Sequence, residues 1–254
     1  MEEFKKVALE AVKKAEERIL FYYKKQIEIE MKENLSPVTK ADKEAEEVII
    51  DTIRKKFPSH GFFGEEFGKD NEDAEFVWII DPVDGTKCFI HGIDLFGTVL
   101  GLQHEGKIVL GVSNMPAIGE LIFASTLEKT TLNGKPAQVS KNDNLKDAFV
   151  TFSSSNFKEE WYLRAVQEID KRAYQMRGYG DTYGYHLVAT GRADVMYENG
   201  PKPWDISAYQ IIIKQAGGRH TNFFGEETIE GPTSLATNGI LHDEMLGIFK
   251  GAHD

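Results

Sequence analysis

Trp78-Ile79-Ile80-Asp81-Pro82-Val83-Asp84-Gly85-Thr86 is the stretch from which the rest of the chain is best read. Val77, Trp78, Ile79 and Ile80 form a short continuous apolar run, the pattern of a strand covered on both faces. Asp81 therefore falls where the strand leaves the core. Pro82 fixes φ and has no N–H to give, so the chain turns there. Asp84 follows Asp81 at a spacing of three, close enough across a tight turn for both carboxylates to face one point. Two bare carboxylates that close repel unless a cation or a proton sits between them. A hard cation such as Mg²⁺ accepts carboxylate oxygens and keeps waters for a phosphate. Gly85 and Thr86 bring free backbone N–H groups, and residues 87–91 can start a helix whose N-terminus would suit an anion. Two readings stand at this point: a surface Asx turn, common for D-x-x-D-G, or a cation site beside a phosphate cradle.

The whole chain narrows the classes. Its 254 residues allow one broad domain or two intimately packed halves, and 41% hydrophobic with 28% charged residues is the composition of an ordinary globular protein. A net charge of −11 argues against nucleic acid and against an anionic membrane surface, since phosphate backbones need a basic face. It leaves a phosphate substrate open if a metal supplies the local positive charge. Cys88 is the single cysteine, so no intrachain disulfide can form and a reducing compartment is expected. Residues 1–14 are charged and amphipathic without an apolar h-region, and no apolar run reaches the ~20 residues of a membrane span. A cytoplasmic protein is the expectation.

Outward from the opening stretch, the periodicities alternate. Residues 2–26 read as a helix with Phe4, Val7, Ala8, Ala11, Ala15, Ile19 and Tyr22 on one stripe. Residues 34–37 interrupt, and a second helix over 39–56 buries Ala45, Val48, Ile49, Thr52 and Ile53. Thr39 and Asp42 fit a cap at its start; Asp42 could equally face a catalytic water from that helix end. Gly61-Phe62-Phe63-Gly64 delivers Glu65 and Glu66 at its exit, as the later strand delivers Asp81, and two such exits suggest convergence on one site. Residues 68–75 read as a polar, acidic loop. Residues 96–124 read as antiparallel strands turning at Glu105-Gly106, and Asn133-Gly134 signals another hairpin. Beyond a boundary near 140, strands at 148–153, 173–177 and 193–197 alternate with helices at about 158–170 and 182–190. Pro203-Trp204-Asp205-Ile206 opens a helix with Ile206, Tyr209, Gln210, Ile213 and Ala216 along one side, stopped by Gly217-Gly218. Asp205 in its first turn is an N-cap acid on its own evidence. A last helix spans about 241–250. The two halves, 1–140 and 141–254, each need the other to cover their sheets.

Gly64-Glu65-Glu66, the 78–86 stretch, Pro203-Trp204-Asp205, Gln215-Ala216-Gly217-Gly218 and the segment from Ser36 to Asp42 together resemble the inositol monophosphatase family of metal-dependent sugar phosphatases. The ordered combination is specific and covers nearly the whole chain. One departure is Cys88, where the family often has asparagine after D-G-T-x. The resemblance implies an α+β fold, a layered α-β-α-β-α sandwich. It implies two or three Mg²⁺ per subunit: Glu65, Asp81 and the carbonyl of Val83 would hold one, and Asp81, Asp84 and Asp205 a second, with a further ion sharing Glu65. Two such cations about 4 Å apart would orient water and neutralise the leaving oxygen of an in-line displacement. Thr86, helped by Asp42, would position and deprotonate the attacking water, and the N–H groups of Gly85 and Thr86 would cradle the phosphate. A homodimer is also implied.

Arg177-Gly178-Tyr179-Gly180-Asp181 with Tyr183-Gly184 is similar to the histidinol-phosphatase branch, as are Thr86-Lys87 and Phe96-Gly97-Thr98. Asp181 and Glu198 could pair with the ammonium of L-histidinol phosphate, whereas an inositol ring offers only hydroxyls; a plain helix cap also explains Asp181. Arg177, Asp181, Glu198, Asp84 and Asp205 are the candidate substrate contacts. The expected activity is hydrolysis of a small phosphate monoester, with inositol 1-phosphate or fructose 1,6-bisphosphate as alternative substrates and a non-catalytic binding role as the other class. The seven histidines show no paired metal spacing and there is no Cys-x-x-Cys, so zinc is not expected. The glycines at 178, 180 and 184 lack dinucleotide-loop spacing.

Overall fold

The computed structural model describes residues 1–25, 29–31, 37–153 and 159–253. Most of the interruption expected at 34–37, Ser36 of the family-like segment, Gln26 at the expected end of the first helix and Lys158 at the expected start of the fourth lie outside the described residues.

Helix α1 (Glu2–Tyr22) buries Val7, Ala8, Ala11, Val12, Ala15 and Ile19. It stops short of 26 because Tyr23 turns out at ψ 135° and Lys24 takes a φ of 59°, which no right-handed helix accommodates. Phe4 and Tyr22, expected on the core stripe, are only half-buried. A two-stranded hairpin, β1 (Ile29–Met31) with β2 (Pro37–Thr39), leads into α2 (Lys40–Arg54). The buried side of α2 is Ala41, Asp42, Ala45, Glu46, Ile49, Thr52 and Ile53. Val48 is half-buried and the charged Glu46 is inside, so the expected apolar stripe is rotated toward the acids.

Next comes the larger sheet. It contains β3 (Gly61–Gly64), β4 (Gly68–Asp70) and β5 (Phe76–Asp84), then, after the single-turn α3 (Thr86–Ile90), β6 (Gly97–His104), β7 (Lys107–Met115), β8 (Glu120–Ser125), β9 (Glu128–Leu132) and β10 (Lys135–Pro136). The order is β10-β9-β8-β7-β6-β5-β3-β4, antiparallel except for β3 beside β5. The acidic stretch after Gly68 is therefore not all loop: β4 folds back on β3, a reversal made at Gly68 with φ 72°. Glu105-Gly106 and Asn133-Gly134 have positive φ at both residues, the turn that matches strand twist.

The second sheet interleaves with helices: β11 (Phe149–Phe152), α4 (Glu160–Arg172), β12 (Gln175–Arg177), α5 (Asp181–Ala189), β13 (Val195–Asn199), α6 (Pro203–Gln215), β14 (Arg219–Thr221), β15 (Thr233–Thr237) and α7 (His242–His253). Its order is β12-β11-β13-β15-β14. The strands β14 and β15 were not expected. Thr233-Ser234-Leu235-Ala236-Thr237 is wholly buried yet neither apolar throughout nor alternating.

Three cores separate five layers. The first packs α1 and α2 on Trp78, Ile80, Leu100, Leu102 and Val112 of the larger sheet. The second places α5 and α6 between the sheets, against Ile79, Val99 and Ile122 on one side and Met196 and Ala236 on the other. The third covers the outer face of the second sheet with α4 and α7, around Tyr162, Phe223 and Phe249. This is the α-β-α-β-α arrangement. Because α6 lies between two sheets, it is buried nearly all round (Ile206, Ser207, Ala208, Tyr209, Ile211, Ile212, Ile213) rather than along the one stripe its pattern suggested. It also sits low, over the cross-strand pair Gly101 and Gly111, where side chains would meet Ser207 and Ala208. No helix among the described residues is long and apolar enough to cross a membrane.

Candidate active site

Burial on both faces carries β5 straight to Asp84, so Asp81, Val83 and Asp84 are fixed by the sheet rather than by a surface loop. The register to β6 breaks between Asp81 and Asp84, a bulge that turns the strand end about Pro82. Thr98 anchors that bulge by donating to the Pro82 carbonyl at 2.9 Å. Parallel pairing of β3 with β5 brings the Glu65 N–H to the Ile80 carbonyl at 3.1 Å, so Glu65 leaves the core beside Asp81. The edge-to-face contact of Phe63 with Trp204, centroids 5.3 Å apart, sets the first turn of α6 over the end of β3.

Ligand atoms of Asp81, Asp84 and Asp205 lie within 4.8 Å of one another. Glu65 is outside that triad, but its negative charge bears on both Asp81 and Asp205. Each aspartate uses an oxygen for a bond that the fold supplies. The Val83 N–H donates to Asp81 Oδ1 at 3.0 Å, the Lys202 N–H to Asp205 Oδ2 at 2.7 Å, and both the N–H and the hydroxyl of Thr182 to Asp84 Oδ2. The carboxyls of Asp81 and Asp205 each act on the other's protonation. The ligand atoms that Asp81, Asp84 and Asp205 bring together are carboxylate oxygens, a donor type that suits a hard divalent cation.

Asp42 has the same economy. The Thr39 N–H and hydroxyl both donate to its Oδ2, at 2.9 and 2.5 Å, while Oδ1 lies 3.3 Å from the Thr86 hydroxyl. The Thr86 hydroxyl also reaches the Val83 carbonyl at 2.9 Å. Gly85, at φ 82°, is the left-handed residue that frees the N–H groups at the start of α3. Asp181 opens α5 in a left-handed conformation, φ 52°, which is costly for a residue with a Cβ. The Ser153 hydroxyl donates to Asp181 Oδ1 at 2.9 Å, and Tyr185 donates to Glu198 at 3.1 Å. Arg177 stands exposed on the edge strand β12, its guanidinium turned back on the Met176 carbonyl. Cys88 is half-buried, its thiol pushed up by burial and by the charges of Asp181 and Asp84.

Three contributors were not singled out in the sequence. Glu46, fully buried, receives the N–H groups of Glu66 and Phe67 at 2.9 and 3.0 Å and so shapes the turn after Glu65. Ser153 holds Asp181, and Thr182 holds Asp84. A groove of about 640 Å³ between α4 and α7 contains none of these acids.

The acids crowd one another. Asp81 and Asp84 are raised well above the ordinary carboxylate range, by burial first and then by neighbouring carboxylates. Burial likewise lifts Asp205 to about 7 and Glu198 to about 8, Glu65 adding to the first and Asp181 to the second. Raised groups hold protons in the folded chain at a pH where the unfolded chain has released them, so stability falls as pH rises from the unfolded values of 3.8 and 4.5. Protein kept in a chelator is expected to lose Tm steadily between roughly pH 5 and 8.5, and saturating Mg²⁺ to flatten that slope. Calorimetry across pH with and without Mg²⁺ measures it; a Tm that climbs with pH in chelator contradicts it.

Comparison with known proteins agrees with this geometry. Residues 1–252 match the inositol monophosphatase family. The chain is 38% identical over 258 residues to a histidinol-phosphatase of Chlorobaculum parvum, covering 98% of this chain and 97% of that protein. It is 33% identical over 213 residues to a fructose-1,6-bisphosphatase/inositol-1-monophosphatase of Thermotoga maritima, covering 83% and 81%. Among solved structures, the IMPase of Thermotoga maritima superposes with a TM-score of 0.90 at 29% identity over 100% of this chain and 98% of that one. The suhB extragenic suppressor protein of Bartonella henselae gives 0.92 at 27%, over 97% and 98%. With an acidic centre at the exits of β3 and β5 and this agreement along its whole length, the chain belongs to the inositol monophosphatase family and is a phosphoric monoester hydrolase.

Proposed function

We propose that the protein is a Mg²⁺-dependent phosphatase of L-histidinol phosphate. The observation that carries the substrate is Asp181, held at φ 52° and braced by Ser153 beside Glu198. Two crowded carboxyls that repel each other are relieved by an incoming ammonium, and a polyol has no charge with which to do so. A substrate that carries an amine as well as a phosphate therefore suits the site. Several relatives carry the name histidinol-phosphatase, at 32–38% identity, which supports the same reading.

The family is metal-dependent, and the acidic cluster can hold metal. Glu65, Asp81, the Val83 carbonyl, Asp84 and Asp205 would hold two or three Mg²⁺, which when bound polarise phosphoryl oxygens and make water more acidic. The chain's own groups supply the rest. The N–H groups of Gly85 and Thr86 bind the phosphate oxygens. Thr86 Oγ1 accepts a proton from the attacking water while passing its own to Asp42 Oδ1, 3.3 Å away. Burial raises the Asp42 pKa, the direction a general base needs at neutral pH. Asp181 and Glu198 bind the amine and Asp84 and Asp205 face the substrate, with Arg177 contacting its outer part. The 1–140 half supplies the phosphate end and the 141–254 half supplies Asp205 and the amine end. A cytoplasmic homodimer completes the proposal, and light scattering tests the dimer.

The decisive experiment is a substrate panel in Mg²⁺: L-histidinol phosphate, inositol 1-phosphate and fructose 1,6-bisphosphate, with wild type and Asp181→Ala. Asp181→Ala is expected to lower kcat/KM for L-histidinol phosphate about 30-fold, about 2 kcal/mol of transition-state binding, and to leave the other two within about threefold. Wild-type turnover of inositol 1-phosphate equal to or better than that of L-histidinol phosphate overturns the substrate assignment.

A further inference from the structure

Glu198 stands in a patch of buried polar side chains that come from three other elements. Antiparallel pairing sets Glu198 on β13 directly opposite Ser234 on β15, so both leave the second sheet on one face. His220 on β14 pairs with Ala236, two residues on from Ser234, and so shares that face. Tyr185 comes down onto it from α5, one helical turn after Asp181. Its hydroxyl lies 3.1 Å from Glu198 Oε2 and 2.7 Å from Ser234 Oγ. Ser234 Oγ in turn lies 2.8 Å from His220 Nε2. All four side chains are buried, so bulk water does not compete for these bonds. The Tyr185 ring is fixed too: it stacks on Tyr209 with centroids 4.3 Å apart and meets His220 edge-on at 6.0 Å.

The protons of this patch can all point toward Glu198. With an ammonium seated on it Glu198 is a carboxylate, which only accepts. Tyr185 has one proton and gives it to Glu198. The contact between Tyr185 and Ser234 then uses the serine proton, and the contact between Ser234 and His220 uses an N–H on Nε2. His220 has that one proton to give. Burial pushes its ring down to about 3, so it is neutral, and Nδ1 has no partner among the described residues that would claim the proton. The bond to Glu198 also has a force to oppose. The charge of Asp181 bears on Glu198, and two like charges free to move turn apart. A hydroxyl on a locked ring holds the Glu198 carboxylate where a single ammonium can meet both acids.

We propose that Tyr185 is a positioning residue for Glu198, its hydroxyl braced by Ser234 and His220, and that it sets the preference for a phosphate monoester carrying an amine. This rests on Glu198 as a partner of the amine, and the test separates the two. The substrates are L-histidinol phosphate and its analogue with hydrogen in place of the amine, each in saturating Mg²⁺. Tyr185→Phe keeps the ring and its stacking and loses only the hydroxyl. It is expected to raise KM for L-histidinol phosphate about 10-fold, the worth of a hydrogen bond to a charged group, with kcat within about threefold. For the analogue, kcat/KM is expected to stay within about threefold. Ser234→Ala leaves Tyr185 its bond to Glu198 and is expected to raise KM for L-histidinol phosphate by a smaller factor. In a Glu198→Gln background, Tyr185→Phe is expected to add less than about twofold, because it acts through that carboxyl. Equal losses on both substrates reduce Tyr185 to a packing residue and overturn the proposal. So does an unchanged KM in Tyr185→Phe where Glu198→Gln removes the preference for the amine, and the amine reading then stands. Should Tyr185→Phe not fold, an unchanged KM in Ser234→Ala overturns the bracing. A wild type that turns over the analogue as well as L-histidinol phosphate overturns both readings.

Discussion

Asp81→Asn is expected to lower kcat on the order of 10³-fold or more while raising the Tm of protein held in a chelator. The two effects have one origin. Asp81 is 2% exposed and lies under the negative charges of Glu65, Asp84 and Asp205. Without a cation its ionised form is opposed by burial and by those like charges, so the folded chain carries strain that an uncharged isostere removes. An asparagine oxygen can still accept the Val83 N–H at the position of Oδ1, so the turn through Pro82 survives. With Mg²⁺ present the order inverts: wild type gains by linkage, about 2.7 kcal/mol at a concentration 100 times the dissociation constant, and the variant gains little. Asp205→Asn should follow the same pattern, its cap to Lys202 retained through the remaining oxygen. Thermal scans in chelator and in Mg²⁺, with kcat measured in parallel, test it. Phosphatase activity that survives in both variants would refute the roles given to these acids.

Much of this centre was readable because its chemistry is written in contiguous residues. Gly64-Glu65-Glu66 and the 78–86 stretch each announce a strand that ends in acids, and the parallel pairing of β3 with β5 puts those ends side by side. A cap at Asp42 or Asp205 does not exclude a second task for the same carboxyl. Each uses an oxygen to close a helix N-terminus, and at Asp42 this is what leaves the other oxygen facing Thr86. What stayed hidden is long-range. Thr182 reaches Asp84 across 98 positions, and its hydroxyl looks like any helix-start threonine. Glu46 reads as solvated because charge on a helix is usually outside, and only the folded turn supplies the Glu66 and Phe67 N–H groups that let it be buried. The strands β14 and β15 escaped for a related reason: between α6 and α7 their small polar residues find partners such as His242, so they need no apolar pattern. Similarly, α6 showed one apolar side, and a second sheet over its other side had no local signal.

Gly111→Ala, a change of one methyl, is expected to cost on the order of 10²-fold in kcat. A Cβ at Gly111 would lie 2.5 Å from the Ala208 carbonyl oxygen and 2.8 Å from Ile211 Cγ2, and one at the paired Gly101 would lie 2.7 Å from Ser207 Oγ. The nearest obstacle is helix backbone, which cannot rotate away as a side chain can, so α6 must lift. Overpacking of this kind costs about 1–3 kcal/mol, a fall of roughly 3–10 °C for a chain of this size. The consequence for chemistry is larger because α6 carries Asp205 in its first turn, within the 4.8 Å cluster with Asp81 and Asp84. A shift near 1 Å in a reacting constellation is enough for a 10²-fold loss. Gly247→Ala is the control: it lies within α7, meets nothing within 4 Å, and should be neutral or stabilising by up to about 1 kcal/mol through helix propensity. If Gly111→Ala loses stability while kcat and Mg²⁺ affinity hold at wild-type values, α6 does not transmit the displacement to Asp205. If both fall together while Gly247→Ala keeps both, the flat glycine pair under α6 is what sets the depth of the metal-binding corner.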